Sequence, residues 1–437
     1  MYKMARLNTL LPYALCLLAF SIPTWFVFSS ACLVLVTILW LLQGNLSETL
    51  KNIRERKYLW PWFVFYLLLA ISYFYSENKE QAAFDLKTKL AYILLPLIMG
   101  GGITLTAKQK TIESILLSLI AGVVFAAIVS IVDATMVWYP DRYYFAFFYH
   151  QLVRRLDPNA VYTAWYTIFS ISLILFMPWQ HYFQGRFKIV KIPLAAFLLI
   201  FFLLLSARMF ILLFLLFIIP YFLKKSFSNI KRGLITTVIV IVCLFALFRI
   251  VDSTNNPIRN RYYAMIYGNE EYAWLNDYSQ VAEEKFDNVT LRLFLWRLGV
   301  ETIAEKRAWL TGVGNGDVHL SLVAKMREYK VQNIDNPDIS KRPGFHNANL
   351  HNMFIQTLVM IGIPGLVIIL IISISPFFFM HKVRPYQPFL VFHITSILFM
   401  MQEAVLQTQA GIFFYIFISS IFWNLYYTQK NVNQKLI

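Results

Sequence analysis

Charged residues are scarce in this chain. Asp, Glu, Lys and Arg together make up 14% of its 437 residues, whereas 59% are hydrophobic. A soluble globular protein usually has about 25% charged residues, so the composition indicates an integral membrane protein. The formal net charge of +16 would favour nucleic-acid binding in a soluble protein, but in a membrane protein the question is which side carries the basic residues. We therefore expect membrane lipid, and no nucleic acid, among its partners.

Cysteine is also rare. The three cysteines, Cys16, Cys32 and Cys243, all lie in apolar runs without metal-ligand spacing, so neither a disulfide framework nor a zinc site is supported. Residues 1–20 have a basic start and an apolar run, as a signal peptide does. No convincing small-residue cleavage site follows, and a second apolar run does. We therefore predict that this segment is kept as the first membrane span.

Long apolar runs are what the chain has in abundance. Each is about as long as a bilayer crossing requires. They predict an all-α, polytopic membrane helical bundle of about twelve transmembrane helices, with one large periplasmic loop that contains amphipathic helices. The runs lie near residues 8–25, 27–43, 58–75, 89–105, 112–132, 160–178, 192–207, 209–223, 234–251, 350–379, 386–402 and 410–427.

Basic residues are divided unequally between the two sides of this predicted bundle. If the N-terminus is cytoplasmic, the cytoplasmic segments hold 19 basic and three acidic residues, so the whole net charge of +16 lies on that face, as the positive-inside rule requires. The chain then divides into N-terminal transmembrane helices (1–251), a large periplasmic loop (252–349) and C-terminal transmembrane helices (350–437). We expect a multi-pass membrane protein whose polar chemistry faces the outer side; in a Gram-negative cell this protein would lie in the inner (cytoplasmic) membrane, with the polar segment in the periplasm.

The external segment combines an irregular part and a helical part. Residues 252–288 are rich in Tyr, Asn, Asp and Glu and predict a loop. From Val289 to Leu310 apolar residues recur at helical spacing, and Arg297 and Glu301 form an i,i+4 pair. This predicts an amphipathic helix on the membrane surface or against the bundle. The glycines of the GVGNGD motif that follows have neither a strand before them nor a GK[ST] after them, so we expect them to end this helix and turn the chain.

Two arginines are candidates for binding an anion. Arg208 interrupts a long and nearly uniform apolar run, where a charge costs about 3 kcal/mol or more and is usually paired or functional. The alternative is a tight turn from which Arg208 snorkels to the interface. Arg292 opens the predicted external helix, where a guanidinium can hold phosphate oxygens in a bidentate way. The alternative for Arg292 is a solvated position on a helix face.

Two histidines precede the span that begins near Asn352. His346 and His351 are five residues apart, which does not suit metal binding on one helix face, and no third ligand accompanies them, so no metal is expected. A histidine at the outer mouth of a bundle suits general base catalysis, while the alternative is two polar loop residues. Glu403 lies at the outer end of another span, where it could orient an arginine or histidine or be an interfacial residue, and Lys89 lies at a further external span end.

Several of these pieces together resemble the O-antigen ligase and polymerase superfamily, the Wzy-C type membrane proteins. Their order and the layout of twelve spans with one large late external loop are also similar. The specific motifs are confined to roughly the second half of the chain. They are the SAR turn at Arg208, LRLFLW with Arg292 and Trp296, WLTGVGNGD, HNMFIQTLVMIGIPGL with His351, Asn352, Gly362 and Gly365, and QEAVLQTQAG with Glu403.

The resemblance implies transfer of a glycan from an undecaprenyl diphosphate carrier at the periplasmic face. The acceptor is lipid A core for a ligase and another carrier-linked repeat unit for a polymerase. Carried over to this chain, Arg208 and Arg292 would hold the diphosphate and His351 would activate or position the acceptor hydroxyl, with no metal and no other cofactor. Because His346 repeats the HN motif, it is a second candidate for the base. Substrate binding is assigned to Lys89, Trp296, His346, Asn352 and Glu403.

The chain also departs from the superfamily in one place. Related sequences often carry a His-Pro-type motif before the sixth span, where this chain has Asp157, Pro158 and Asn159. A role for that histidine is therefore not expected here.

The expected enzyme is a metal-independent, inverting glycosyltransferase. A diphosphate leaves readily when preorganised arginines stabilise its charge, and one in-line displacement inverts the anomeric centre. We favour an O-antigen ligase because of the single large external loop and its HN block. The alternatives are an O-antigen or exopolysaccharide polymerase of the same superfamily and a transporter of a lipid-linked or anionic solute. Nearly charge-free spans without paired broken helices weaken the transporter.

Overall fold

The computed structural model describes residues 2–44, 46–102, 109–214, 268–380 and 386–435. Within these ranges the chain is entirely helical and contains no β-strand. Short 3-10 turns and one π-helical segment, Pro96–Gly102, connect the α-helices. The α-helices are α1 (Tyr2–Ser21), α2 (Phe26–Leu42), α3 (Leu46–Glu55), α4 (Trp60–Tyr75), α5 (Lys79–Thr88), α6 (Ala91–Leu95), α7 (Gln109–Asp141), α8 (Tyr149–Leu152), α9 (Ala160–Phe176), α10 (Lys191–Leu204), α11 (Arg208–Leu213), α12 (Asn288–Glu305), α13 (Val318–Glu328), α14 (Met353–Met380), α15 (Tyr386–Met400) and α16 (Gln409–Lys435).

Many of these helices are apolar enough to cross a membrane. Five helical stretches among the described residues have the required length and composition, and α2 and α3, which meet at 107°, would form a sixth as a bent pair. Shorter apolar helices lie at Leu10–Ser21, Ala160–Phe176 and Tyr386–Met400. The all-α class and several membrane-crossing helices are therefore supported, while the count of twelve stays a prediction.

Three of the predicted spans differ from the observed helices or escape description. Predicted span 89–105 is not one α-helix: α6 ends at Leu95 and the π-helical segment Pro96–Gly102 follows. Predicted span 234–251 and most of 209–223 lie outside the described residues. The division into 1–251, 252–349 and 350–437 stays a prediction.

An aromatic cluster joins three helices in the centre of the bundle. Trp165 of α9 is fully buried and stacks on Phe392 of α15, with 6.1 Å between ring centroids. The rings of Phe399 and Phe414 meet Trp165 edge-on at 5.4 and 4.6 Å. Each such contact adds about 0.5–1.5 kcal/mol beyond the area it buries. The cluster therefore fixes α9, α15 and α16 relative to one another.

Helix α14 is broken in its first half. The predicted span 350–379 corresponds to this helix, but Gly362 has φ +71° and interrupts the helical backbone. Pro364 explains the break, because it has no N–H to donate to the carbonyl of Met360 four residues earlier. The external loop takes over that carbonyl, since Gly314 N donates to Met360 O at 3.1 Å.

The same loop makes two further backbone hydrogen bonds to the break. Val313 N donates to Val359 O, and Ile363 N donates to Trp309 O, both at 2.8 Å. A Cβ on Gly362 would lie 2.4 Å from Leu310 O. Backbone hydrogen bonds therefore attach the loop at 309–314 to α14. Gly362 lies so close to the carbonyl of Leu310 that only glycine fits at this position.

Helix α12 confirms the helix predicted from Val289 to Leu310, although it ends at Glu305. It packs against α14 and α13. Of the two predicted placements, on the membrane surface or against the bundle, the structure shows packing against the bundle. The predicted pair is present, with Arg297 Nε 2.8 Å from Glu301 Oε1. The expectation that the glycines of GVGNGD end this helix was wrong: Lys306 is its C-cap. The first of these glycines, Gly312, instead turns the chain, with φ +69°.

Candidate functional site

Arg208 lies at a break between two helices, where the sequence offered a tight turn as one alternative. Helix α10 ends at Leu204, and Ser206 adopts a left-handed backbone conformation with φ +50°. Ala207 is the N-cap of α11 and Arg208 its first residue. The helix is therefore interrupted here, and the interruption places the arginine at the start of α11, in the wall of a cavity.

Arg292 reaches the same cavity from the external helix. Asp287 begins α12 by accepting hydrogen bonds from Val289 N at 2.8 Å and Thr290 N at 3.1 Å. Burial disfavours the charge of this carboxyl, but the amide donors outweigh it and lower the pKa of Asp287. Arg292 follows one turn later. Its Nη1 donates to Asn288 O at 2.9 Å and its Nε to a carbonyl at residue 402 at 3.1 Å.

The third contributor is the turn after α15. Glu403 lines the cavity together with Gln402, and its side chain is 17% exposed. His351 lies behind it, with Nδ1 3.0 Å from Glu403 Oε2 and 3.1 Å from Oε1. An ionised carboxylate only accepts hydrogen bonds. With such a carboxylate at Glu403, the contact favours the tautomer of His351 that carries the proton on Nδ1 and the lone pair on Nε2. Among the described residues, no protein group pairs with Nε2.

His351 is held in a conformation that few residues adopt. Its φ is +43°, a left-handed value that is uncommon for a residue with a side chain and costs about 1 kcal/mol or more. Its backbone N–H donates to Asn349 Oδ1 at 2.7 Å. The next residue, Asn352, caps α14 by accepting from Phe354 N and Ile355 N at 3.0 Å. The capped start of α14 therefore fixes the orientation of the His351 imidazole.

Backbone carbonyls join these segments into one unit. Asn352 Nδ2 donates to Met401 O at 3.0 Å, and Arg292 Nε donates to Gln402 O. Trp296 Nε1 donates to Leu350 O at 2.7 Å. The helix that carries Arg292, the segment that carries His351 and the turn that carries Glu403 are thus tied to one another through main-chain oxygens.

The cavity itself has a volume of about 260 Å³. Its polar groups are Arg208, Arg292, Glu403 and other side chains at helix ends, while much of the wall is apolar. Two guanidiniums and one carboxylate leave an excess positive charge, which suits an anion carried by an apolar chain. The apolar wall includes Val161, Phe210, Leu212, Val289, Leu293 and Phe399.

Some predicted site residues lie outside this cavity. His351 is connected to it through Glu403 but does not line it. Lys89 is 2% exposed and donates to Asp85 Oδ2 at 2.5 Å and to Asn315 Oδ1 at 3.1 Å. His346 is in a different part of the external loop, and its Nδ1 is 3.0 Å from Asn347 Oδ1. Asn352 is 7% exposed and occupied by its cap and by Met401 O.

His346 has a histidine neighbour of its own. The rings of His319 and His346 meet edge-on with centroids 5.5 Å apart. Burial, followed by the nearby charge of His346, lowers the pKa of His319. This pair belongs to the surface of the external segment and has no contact with the Glu403 carboxylate.

The structure also gives roles to the residues that replace the His-Pro-type motif. Asp157 Oδ2 accepts from Phe26 N at 2.5 Å and so caps α2. Asn159 Oδ1 accepts from Val161 N at 3.0 Å and from Tyr162 N at 3.2 Å, which caps α9. Both are helix caps, and the cap by Asn159 fixes the start of α9, where Val161 lines the cavity.

Sequence reasoning missed several residues at the site. Tyr149, with φ +55°, lines the cavity from α8, but nothing in its sequence context singled it out. Tyr162 lies beneath the turn after α15 and accepts a hydrogen bond from Thr408 Oγ1 at 2.9 Å. Tyr92 donates to Leu406 O in the same segment. The two buried tyrosines support the segment that begins with Glu403.

Comparison with known proteins finds a family to which part of this chain is similar. Residues 192–370 match the family model described as O-antigen ligase, Wzy_C, so this segment is a domain of that family. Members of the family are glycosyl-transferring enzymes that act on lipid-linked glycans. The matched segment contains Arg208, Arg292 and His351, whereas Lys89 and Glu403 lie outside it. A search of curated proteins found no match to the chain.

Proposed function

From the O-antigen ligase family domain at residues 192–370, we propose that this chain transfers a glycan from undecaprenyl diphosphate to lipid A core at the periplasmic face of the bacterial inner membrane. The chain crosses the membrane about twelve times, with both ends in the cytoplasm. The observation that carries the proposal is the convergence of Arg208, Arg292 and Glu403 on one cavity from three separate segments, with His351 in contact with Glu403.

Arg208 and Arg292 bind the diphosphate of the donor. A guanidinium offers paired N–H donors that match phosphate oxygens. Among the described residues, no carboxylate lies within ion-pair distance of Arg292, and its Nη2 makes no bond to them, so part of its donor set faces the ligand. The apolar wall of the cavity suits the first isoprene units of the carrier.

His351 accepts the proton of the acceptor hydroxyl. Its Nε2 lone pair is directed away from Glu403, so the acceptor approaches from the water-facing side while the donor occupies the cavity. The carboxylate of Glu403 holds the imidazole in the required tautomer and stabilises the imidazolium that forms. Glu403 is therefore a positioning residue, and His351 is the general base.

The reaction balances without a covalent intermediate. The acceptor oxygen forms a bond to the anomeric carbon of the donor sugar, and the bond from that carbon to the phosphate oxygen breaks. The proton of the acceptor moves to His351, and the bond electrons leave with the carrier diphosphate, whose added charge the two arginines stabilise. A single displacement of this kind inverts the anomeric configuration.

The test is glycan transfer by the purified full-length chain in detergent, with a carrier-linked glycan and lipid A core. Arg208→Ala, Arg292→Ala and His351→Ala should each slow transfer by about 100-fold or more. Matched controls come from the same external segment. Arg327→Ala removes an arginine paired with Asp335 outside the cavity, and His346→Ala removes the other histidine of the HN repeat. Both controls should keep the activity.

Other results would assign other functions. Full activity of both Arg292→Ala and His351→Ala would refute the site, and loss of activity in His346→Ala alone would move the base to His346. Elongation of carrier-linked repeats without transfer to lipid A core would indicate a polymerase. Movement of the carrier-linked glycan across sealed vesicles without any transfer would indicate a transporter.

A further inference from the structure

Tyr149 has a backbone conformation that is unusual for an aromatic residue. Its φ is +55°, a left-handed value at which a bulky side chain is strained. The residue begins the one-turn helix α8 and lines the cavity that also contains Arg208 and Arg292. Strain of this kind persists only where the surroundings enforce it, and it is concentrated at binding and catalytic sites. The strained backbone therefore indicates a role for Tyr149 in the cavity.

The chain around Tyr149 is held in place by several contacts. Asp133 of α7 accepts from Arg154 Nε at 2.6 Å and from Arg155 Nε at 2.9 Å. Trp25, the N-cap of α2, donates from its indole Nε1 to Arg155 O at 2.9 Å. Helix α8 itself packs against α7 and α9. These contacts attach α8 and the turn after it to three other helices, so the structure fixes where Tyr149 stands.

The cavity has to accommodate three parts of a lipid-linked donor. In the proposed function, Arg208 and Arg292 bind the diphosphate, and the apolar wall binds the first isoprene units of the carrier. The third part is the sugar bonded to the diphosphate, which lies beside both. A sugar ring presents C–H groups on its face, and the negatively charged face of an aromatic ring attracts their partial positive charge. An aromatic side chain in the cavity wall therefore suits the sugar.

Among the aromatic residues of the cavity, Tyr149 is the one whose ring is best placed for this contact. Phe210 and Phe399 are at most 1% exposed and meet edge-on at 5.3 Å, so packing uses their surfaces. Trp296 donates its indole N–H to a main-chain oxygen and belongs to the framework of the site. Tyr149 is partly exposed and lies outside the family domain at 192–370. Its contact with a ligand can therefore change while the arginines and His351 stay the same.

We propose that Tyr149 is a specificity-determining residue whose ring stacks against the sugar nearest to the diphosphate of the lipid-linked donor. This inference rests on the proposed function and deepens it by assigning a binding surface for the glycan. Tyr149 makes and breaks no bond in the reaction; its ring positions the sugar whose anomeric carbon reacts. It therefore adds affinity for the glycan-carrying donor and none for the bare carrier diphosphate.

Three variants separate the ring from the backbone and from the hydroxyl. Tyr149→Gly removes the ring and also relieves the strain, because glycine adopts a positive φ freely, so this variant should fold. Tyr149→Phe keeps the ring without the hydroxyl. Tyr143→Ala is the matched control, since Tyr143 is a tyrosine six residues earlier that is 45% exposed and does not line the cavity. Thermal unfolding in detergent reports whether each full-length variant is folded.

The measurement is binding of undecaprenyl diphosphate, with and without its glycan, by microscale thermophoresis. Wild type, Tyr149→Phe and Tyr143→Ala should bind the glycan-carrying carrier about fivefold to tenfold more tightly than Tyr149→Gly does. All four proteins should bind the bare carrier with the same affinity. Equal binding of the glycan-carrying carrier by wild type and Tyr149→Gly would overturn the inference. So would an equal loss for both ligands, or a Tyr149→Phe variant as weak as Tyr149→Gly.

These binding experiments do not depend on transfer, so the two proposals can fail separately. A wild-type protein that shows this Tyr149-dependent preference for the glycan but transfers nothing to lipid A core would support the inference and refute the proposed function. Where transfer occurs, Tyr149→Gly should raise the KM for the donor by about fivefold to tenfold and leave kcat nearly unchanged. A fall in kcat at constant KM would contradict the inference.

Discussion

Substitution of Glu403 gives the most direct test of the proposed mechanism. Its carboxylate touches His351 Nδ1 at 3.0 Å, with the two side chains 17% and 27% exposed. Groups that orient a metal-bound imidazole are worth about 10- to 100-fold in activity, and we expect the same range for this pair; a general base contributes about 10²- to 10⁴-fold. The partial burial of the pair favours the upper part of the first range.

Two substitutions separate orientation from charge. We expect Glu403→Ala to lower the single-turnover rate of glycan transfer by about 100-fold, because the imidazole loses its partner. Glu403→Gln should lower it by about 10-fold, which is about 1.4 kcal/mol in barrier height, because the amide oxygen still accepts the Nδ1 hydrogen bond but carries no charge. The KM for the donor should change little, since Arg292 binds the main-chain oxygen of Gln402 rather than the Glu403 side chain.

The double variant provides the decisive comparison. If Glu403 acts only through His351, then His351→Ala with Glu403→Ala is no slower than His351→Ala alone. Multiplication of the two effects would show that the carboxylate acts independently, for example on the donor. A Glu403→Ala variant with more than about half of the original rate would refute the positioning role outright. Size-exclusion chromatography in detergent reports whether each variant is folded.

The remaining predictions concern the scaffold around the site. Gly362→Ala should lower the free energy of unfolding by more than the roughly 1 kcal/mol that a left-handed backbone alone costs, because its Cβ would meet the carbonyl of Leu310. The thermal unfolding temperature should fall strongly. Gly44→Ala is the control: Gly44 has φ +70° but open space around it, so this substitution should cost only the conformational strain. Asp287→Ala should destabilise the chain by about 1 kcal/mol. Because the pKa of Asp287 is lowered in the folded chain, the stability that its charge contributes is complete above the unfolded pKa of about 4 and is lost as the pH falls further. The free energies of unfolding of wild type and variant should therefore converge in acid. Asp317→Ala removes the acceptor of two backbone N–H groups ahead of α5, at 2.7 and 2.8 Å, and should cost about 2 kcal/mol while leaving the cavity residues in place; an unchanged unfolding temperature would contradict this attachment.

The external helix was the part of the fold most visible in the sequence. The apolar spacing from Val289 and the Arg297–Glu301 pair predicted α12 correctly, since both signals act within a few residues. Its end was misjudged, because the chain leaves the helix at Lys306 and not at a glycine. The glycine at 312 is required by a contact with α14, and such a contact cannot be read from local spacing.

Two residues specify the break in α14, although the apolar run predicted a single uninterrupted span. The run through IGIPGL is uniformly apolar, so hydropathy predicts one span across it. Pro364 removes a donor and Gly362 permits the positive φ, and the two together specify the break. Hydropathy does not register these backbone properties.

The candidate site was predicted residue by residue but not as an arrangement. His351 and Glu403 were both singled out, yet their contact across 52 positions depends on how α14 and α15 pack. Lys89 was predicted at an external span end as a substrate-binding residue, whereas its ammonium group donates to Asp85 and Asn315. The carbonyl of Gln402 could not be foreseen at all, because every residue type carries the same main-chain oxygen.

The main-chain contacts at residues 350, 401 and 402 have a consequence for redesign. Because Trp296, Asn352 and Arg292 bind carbonyl oxygens, the framework does not depend on which side chains stand at Leu350, Met401 and Gln402. Gln402 nevertheless lines the cavity. The position therefore combines a fixed backbone with an exchangeable side chain. A library of variants at this position tests whether it selects the glycan in the proposed reaction, while the groups proposed to move the proton and hold the phosphates stay unchanged.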